Sequence, residues 1–97
     1  MVSLVFHPDT AQEIENAYAW YQERAEGLGD DFIEELESAF AAIAALPETW
    51  PKFGRSCRRF LLGKFPFSII YRLDGDTVFV LCVMHNSRKP GYWEDRA

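Results

Sequence analysis

FPFSIIYRLDGDTVFVLCVMH, residues 65–85, is the stretch that decides how this chain folds. Two runs rich in β-branched and aromatic residues flank Asp74-Gly75, a dipeptide that favours the left-handed backbone of a type I′ hairpin turn. With those two residues as the turn, Leu73 pairs with Asp76. Outward from there Tyr71 faces Val78, Ile69 faces Val80, Phe67 faces Cys82 and Phe65 faces Met84. Opposed residues share a side, so that side is apolar except for the phenol hydroxyl and should pack on helices. The other side carries Arg72 with Thr77, Ile70 with Phe79 and Ser68 with Leu81, and Val83 and His85 continue it.

Upstream, Arg55–Leu62 reads as a further strand, joined through Gly63-Lys64 as a type II′ turn. That register sets Arg59 opposite Ser68, near Leu61 and Cys57. It also sends Arg58 to the helix side, where a charge is costly. Either Arg58 lies at the sheet margin or the turn is longer. Glu48–Gly54, with Trp50, Pro51 and Phe53, reads as an ordered loop.

The first half is helical. Val2–Phe6 is a short first strand. A helix then starts at Pro8, or at Thr10, whose spacing to Glu13 fits a capping box. Ile14, Tyr18, Tyr21 and Ala25 form its buried stripe, and Gly27 and Gly29 end it. A second helix starts near Asp30-Asp31, buries Phe32, Leu36, Phe40 and Ile43, and stops at Pro47. The fold class is α+β, in the order β-α-α-β-β-β. A helical hairpin packs on one face of a mainly antiparallel sheet, in one domain over residues 1–97.

Charge is sorted by halves. Residues 1–50 hold eleven Asp/Glu and one Lys/Arg, a net of −10; residues 51–97 hold nine Lys/Arg and four Asp/Glu, a net of +5. Such asymmetry in a small domain suggests a face for a charged partner. No apolar run is long enough to span a bilayer, and the N-terminus lacks the pattern of a signal peptide. The expected location is the cytoplasm. Cys57 and Cys82 read as buried free thiols; His7 and His85 are isolated, so no metal site and no cofactor are expected.

The reverse side of the sheet presents Ile70, Phe79, Leu81 and Val83 beside Arg59, Arg72 and His85. An uncovered apolar strip with a polar rim fits a protein-binding surface. The alternative is that the tail, Asn86–Ala97 with Tyr92 and Trp93, folds back over it.

Several pieces together resemble the RelE/ParE superfamily of bacterial toxins: Phe6-His7-Pro8 leading into a helix with Ala11, Trp20-Tyr21 before Gly-Leu-Gly, and Phe32, Leu36, Ile43 and Pro47. They continue with Arg58-Arg59-Phe60, Phe65–Tyr71, and Val83–Pro90 ahead of Tyr92-Trp93. The resemblance covers nearly the whole chain. It implies the toxin of a type II toxin–antitoxin pair, with roles in growth inhibition and plasmid stabilisation, held inactive by a small cognate antitoxin.

ParE-like relatives inhibit DNA gyrase, and RelE-like relatives cut messenger RNA on the ribosome. Metal-independent RNA cleavage needs a base, an acid and fixed cations. Carried over by position, Arg59 matches a basic site of the RelE-like nucleases. Leu61 and Ser68 stand where further cations belong, and His85 or Tyr92 remains for proton transfer. The thinned cluster and the acidic total favour a ParE-like inhibitor that acts by binding, with no favoured catalytic residue and no binding of free nucleic acid. A ribosome-dependent endoribonuclease using Arg59, His85 and Tyr92 is the second reading, and an inactive interaction module the third. The expected antitoxin- or target-binding residues are Arg59, Ile70, Arg72, Phe79, Leu81, Val83, His85, Arg88, Tyr92 and Trp93.

Overall fold

Helix α1 (Pro8–Arg24) follows strand β1 (Ser3–Phe6) because His7 caps it and Pro8 supplies a preset first turn. The His7 Nδ1 accepts from the backbone N–H of Asp9 at 3.1 Å, so the helix begins at the earlier of the two expected starts. Its buried residues are Thr10, Ala17 and Tyr21, with Ile14 half-buried. This stripe is turned from the expected one: Tyr18 instead reaches Asp30 across the hairpin at 3.1 Å, and Ala25 is exposed. The structure, a computed structural model, describes residues 2–89 and 91–96. Pro90, quoted in the C-terminal motif, and the ends of the expected domain lie outside them.

Helix α2 (Leu28–Ala45) starts two residues before Asp30. Gly27, at φ 83°, turns the chain, and Gly29 lies inside the helix, not after α1. A Cβ on Gly29 would lie 2.7 Å from the Tyr18 carbonyl oxygen, so this contact needs glycine. The Gln22 Oε1 accepts from Gly29 N at 2.7 Å and satisfies one free N–H of the helix start. Phe32, Leu36, Ala39 and Ile43 are buried and Phe40 half-buried. The expected α2 stripe therefore holds.

The five-stranded sheet has the order β1-β5-β4-β3-β2, with β1 parallel to β5 and the other pairs antiparallel. Its later strands are β2 (Lys52–Phe53), β3 (Cys57–Leu61), β4 (Phe67–Asp74) and β5 (Thr77–His85). The segment expected as a loop thus contributes a two-residue strand. Leu61 pairs with Ser68 and Arg59 with Ile70, so the β3–β4 connection is longer than Gly63-Lys64. Arg58 lies opposite Tyr71 but escapes the core. Its Nη1 donates to the Glu48 and Trp50 carbonyls at 3.1 and 2.8 Å, at the sheet margin.

The β4–β5 turn also departs from its reading. Asp74 pairs with Thr77, leaving Gly75-Asp76 as the loop. Gly75 sits at φ 57°, while among the described residues no other residue type has positive φ. Glycine at the first loop position followed by ordinary φ is the type II′ pattern. The pairing moves by two residues, which keeps faces: Leu73 with Val78 and Tyr71 with Val80 on the helix side, Arg72 with Phe79 on the reverse. A bulge then interrupts the ladder. Tyr71 pairs with Val80 but Ile70 with Cys82, so Leu81 is the extra residue. Beyond it the faces exchange. Val83 joins the core under the helices, and Cys82 and Met84 turn to the reverse side, opposite to expectation.

Candidate functional site

The reverse side of the sheet is not open. Residues 91–96 fold across it, ending in a 3-10 turn, Glu94–Arg96. Trp93 is 3% exposed and packs with Cys57, Ile70, Leu81, Cys82 and Met84; Phe53, Phe79 and Tyr92 border this second core. Gly54 makes room, since a Cβ there would meet the Trp93 ring at 3.0 Å. The expectation of a bare apolar strip is therefore corrected. Ile70 and Leu81 have no exposed surface, and Val83 faces the helices. The cause is the tail, whose large rings bury more apolar area here than they could in water. Phe79 stays half-buried, with the Arg72 guanidinium 5.3 Å from its ring centre, and Arg72 also bonds Asp74 at 2.8 Å.

The tail is held by Glu13. One carboxylate oxygen accepts from the Val83 N–H at 3.1 Å; the other accepts from the Tyr92 hydroxyl at 2.8 Å and Arg96 Nη1 at 2.9 Å. The same Arg96 nitrogen donates to the Leu81 carbonyl at 3.1 Å, and Thr10 Oγ1 donates to that carbonyl at 3.4 Å. These bonds satisfy backbone groups of β5 beyond Val80, where β1 no longer pairs with it. Asp9 adds a longer contact to Arg96, 3.8 Å.

A groove of about 560 Å³ runs between α1 and the end of β5. Ala17, Trp20, Tyr21, Phe67, Val83 and Met84 give it apolar walls, while Glu13, His85, Arg88 and Tyr92 mark its polar side. Arg88 lies 3.9 Å from the Tyr92 ring centre. His85 stacks edge-on against Phe67, and its Nδ1 accepts from Ser87 N at 3.0 Å, which leaves Nε2 as the N–H donor. Trp20 is 51% exposed on the outer wall.

Arg59 is elsewhere. Its Nε donates to Ser68 Oγ at 2.9 Å and its Nη2 to Asn86 Oδ1 at 3.3 Å; Ser68 Oγ also bonds Asn86, and the guanidinium lies 4.9 Å from the Phe53 ring centre. The groove gathers His85, Arg88 and Tyr92, but Arg59 does not line it. Leu61 is exposed and brings no charge, and the hydroxyl of Ser68 is buried under Arg59.

Burial, and then the hydrogen bond to Glu13, push the Tyr92 phenol up, so it holds its proton far above neutral pH. Burial, with a smaller effect of the Glu13 charge, pushes the Cys82 thiol up to about 12, and burial raises Cys57 as well. Neither cysteine is disulfide-bonded, and both are shielded from reaction. Among the described residues no group of three or more His, Cys, Asp or Glu is placed to hold a metal. No helix among them is long and apolar enough to cross a membrane.

Sequence reasoning missed Glu13, Asn86, Trp20 and Arg96 as site residues. Glu13 carried a usable signal, since it is an acid beside the buried stripe of Thr10, Ala17 and Tyr21. Asn86 and Arg96 carried none, because their partners lie in distant segments.

Comparison with known proteins agrees with this geometry. None of the curated protein sequences matches the chain. Among solved structures it is similar to the chromosomal ParDE toxin–antitoxin system from P. aeruginosa, with 17% identity, a TM-score of 0.77, and 88% of this chain and 96% of that one covered. It is also similar to the isolated E. coli RelE toxin, with 19% identity, a TM-score of 0.65, and 99% and 96% of the two chains covered. Both likenesses are likenesses of fold. The family model for the ParE toxin of the type II toxin–antitoxin system parDE matches residues 4–90. With strand order, helical hairpin and motif positions in accord, the chain belongs to the ParE toxin family and is a toxin of the type II toxin–antitoxin kind.

Proposed function

We propose that this toxin acts by binding, as an inhibitor of DNA gyrase, and that a small cognate antitoxin neutralises it. The observation that carries the reading is that polar groups a nuclease would need are already engaged within the fold. Arg59 is tied through Nε to Ser68 and through Nη2 to Asn86, while Tyr92 gives its hydroxyl to Glu13. Fixed cations around a phosphorane are worth roughly 3 kcal/mol each, and Leu61 and Ser68 supply none. The surfaces left for a partner are the groove with His85, Arg88 and Tyr92, and the Arg72–Phe79 edge.

The test is a pair of assays on purified protein. Gyrase supercoiling should be inhibited in proportion to toxin and restored by the antitoxin encoded beside it. Primer extension on translated message should show no new cleavage. Cutting in the ribosomal A site that Arg59→Ala or His85→Ala abolishes would overturn the proposal in favour of the endoribonuclease.

A further inference from the structure

Three cations converge on a second recess, at the β2–β3 end of the sheet. It shares no lining residue with the groove beside α1. Lys52, Arg55 and Arg58 line it, with Ser56, Leu73 and Glu48 also on its wall. The strand pairing forces the charges together. Lys52 lies directly opposite Arg58 in the ladder, so both side chains share one side of the sheet. Like charges in that relation are destabilising. The loop that joins the two strands, residues 54–56, adds Arg55. None of the ion pairs among the described residues involves Lys52, Arg55 or Arg58. Glu48, the one carboxylate of the recess, is exposed and relieves none of them.

Arg58 is the fixed member. Its half-buried guanidinium is anchored through Nη1 on the Glu48 and Trp50 carbonyls, at 3.1 and 2.8 Å. Its Nε and Nη2 make no hydrogen bond among the described residues. A guanidinium held at one corner, with the rest of its fork free, is preorganised for an oxyanion. Arg55 brings a second fork, Lys52 a compact charge and Ser56 a hydroxyl donor. The recess holds about 280 Å³, below the roughly 300–1,000 Å³ of pockets that enclose drug-sized ligands, so it suits a compact group. A carboxylate would answer one of the three charges. A phosphate monoester, with a charge of about −1.5 to −2 and three terminal oxygens, answers more of them.

We infer that this recess binds a phosphate group, its oxygens held by Arg58, Arg55 and Lys52. A free phosphate monoester and the backbone of a nucleic acid both present that chemistry. The inference goes beyond the proposed function and holds whichever target the toxin has.

The probe is inorganic phosphate, titrated into the whole protein against chloride at matched ionic strength and followed by NMR. Saturable shifts should gather at the amides of Ser56, Cys57 and Arg58. Lys52→Ala and Arg55→Ala should each weaken binding about threefold, as for exposed ion pairs. Arg58→Lys, which keeps the charge and loses the fork, should weaken it too. Glu48→Gln should tighten it, because a repelling carboxylate is gone. Lys52→Ala has a second signature. With its repulsion of Arg58 relieved, the variant should melt no lower than the parent in chloride, and phosphate should raise its midpoint less. Adenosine 5′-monophosphate and a short DNA duplex distinguish the sources: the one bound more tightly, with loss in Arg55→Ala, supplies the phosphate. The inference is overturned by shifts located elsewhere, by the same response to chloride, or by Lys52→Ala and Arg55→Ala variants that bind phosphate as the parent does.

Discussion

The Glu13 carboxylate and the Arg96 guanidinium meet at 2.9 Å, joining the first helix to the last turn of the described chain. Both side chains are only 15% exposed, and the same carboxylate also serves Val83 and Tyr92. Removing it strands a partly buried cation and the Val83 N–H together. Glu13→Ala should cost about 2–4 kcal/mol in urea unfolding, and Glu13→Gln about half of that. Because the tail shields Cys82, Glu13→Ala should also speed reaction of that thiol with a disulfide reagent under native conditions. A thiol as slow as in the parent protein would mean that Glu13 does not hold the tail.

Ile70 and Phe79 separate the covered part of the reverse face from its margin. Ile70 has no exposed surface, so Ile70→Asp should prevent folding, at a cost above about 4 kcal/mol. Phe79 is half-buried beside Arg72, so Phe79→Asp should give a folded protein weakened by about 1–2 kcal/mol, with part of the loss offset by the guanidinium. Circular dichroism and thermal melts distinguish the two. A folded Ile70→Asp would contradict the tail-covered face.

Alkaline pH should unfold the protein through its buried thiol and phenol. Cys82 is raised from 9.0 to about 12, and Tyr71 from 10.0 to about 12 because burial outweighs the nearby Arg58. The unfolded chain loses these protons first, so above pH 9 it binds fewer protons than the folded one and stability falls as pH rises. The contribution is complete below pH 9 and gone near 12, with a slope of at most ~1.4 kcal/mol per pH unit for each group. Cys82→Ala should make the fall of the urea midpoint between pH 9 and 10 shallower, leaving the smaller part that the buried phenols begin to contribute there. A decline as steep as in the parent protein would assign the effect to other groups.

Gly29 and Gly27 test the hairpin. Alanine at Gly29 would press its Cβ to 2.7 Å from the Tyr18 carbonyl and the Gln22 side chain, forcing the helices apart. Gly29→Ala should cost about 1–3 kcal/mol. At Gly27 nothing lies within 4 Å, but φ is +83°, so Gly27→Ala should cost about 1–2 kcal/mol from backbone strain alone. Thermal melts give the order, and a neutral Gly29→Ala would mean the contact is looser than described.

Much of this fold could be read because strand faces repeat every two residues. Moving the hairpin pairing by two left Tyr71 under the helices and Ile70 on the reverse, as their alternation required. The Leu81 bulge escaped because it is stabilised by Thr10, Glu13 and Arg96, which no local pattern connects to Leu81. That single extra residue moved Val83 into the core and Cys82 and Met84 out of it. Tyr92 and Trp93 were visible as large apolar groups, yet such residues suit a docking surface and a covering flap equally. Only the space over Gly54 and the anchor at Glu13 decide between them.

The parallel contact of β1 with β5 has a consequence for synthesis. The first strand made must wait for the last before it finds its neighbour, since Ser3 aligns with Thr77. Such a distant closure is slow and cannot happen while β5 is still untranslated. The emerging polypeptide therefore cannot complete its sheet until β5 has been made, and β1 waits unpaired through nearly the whole interval between them.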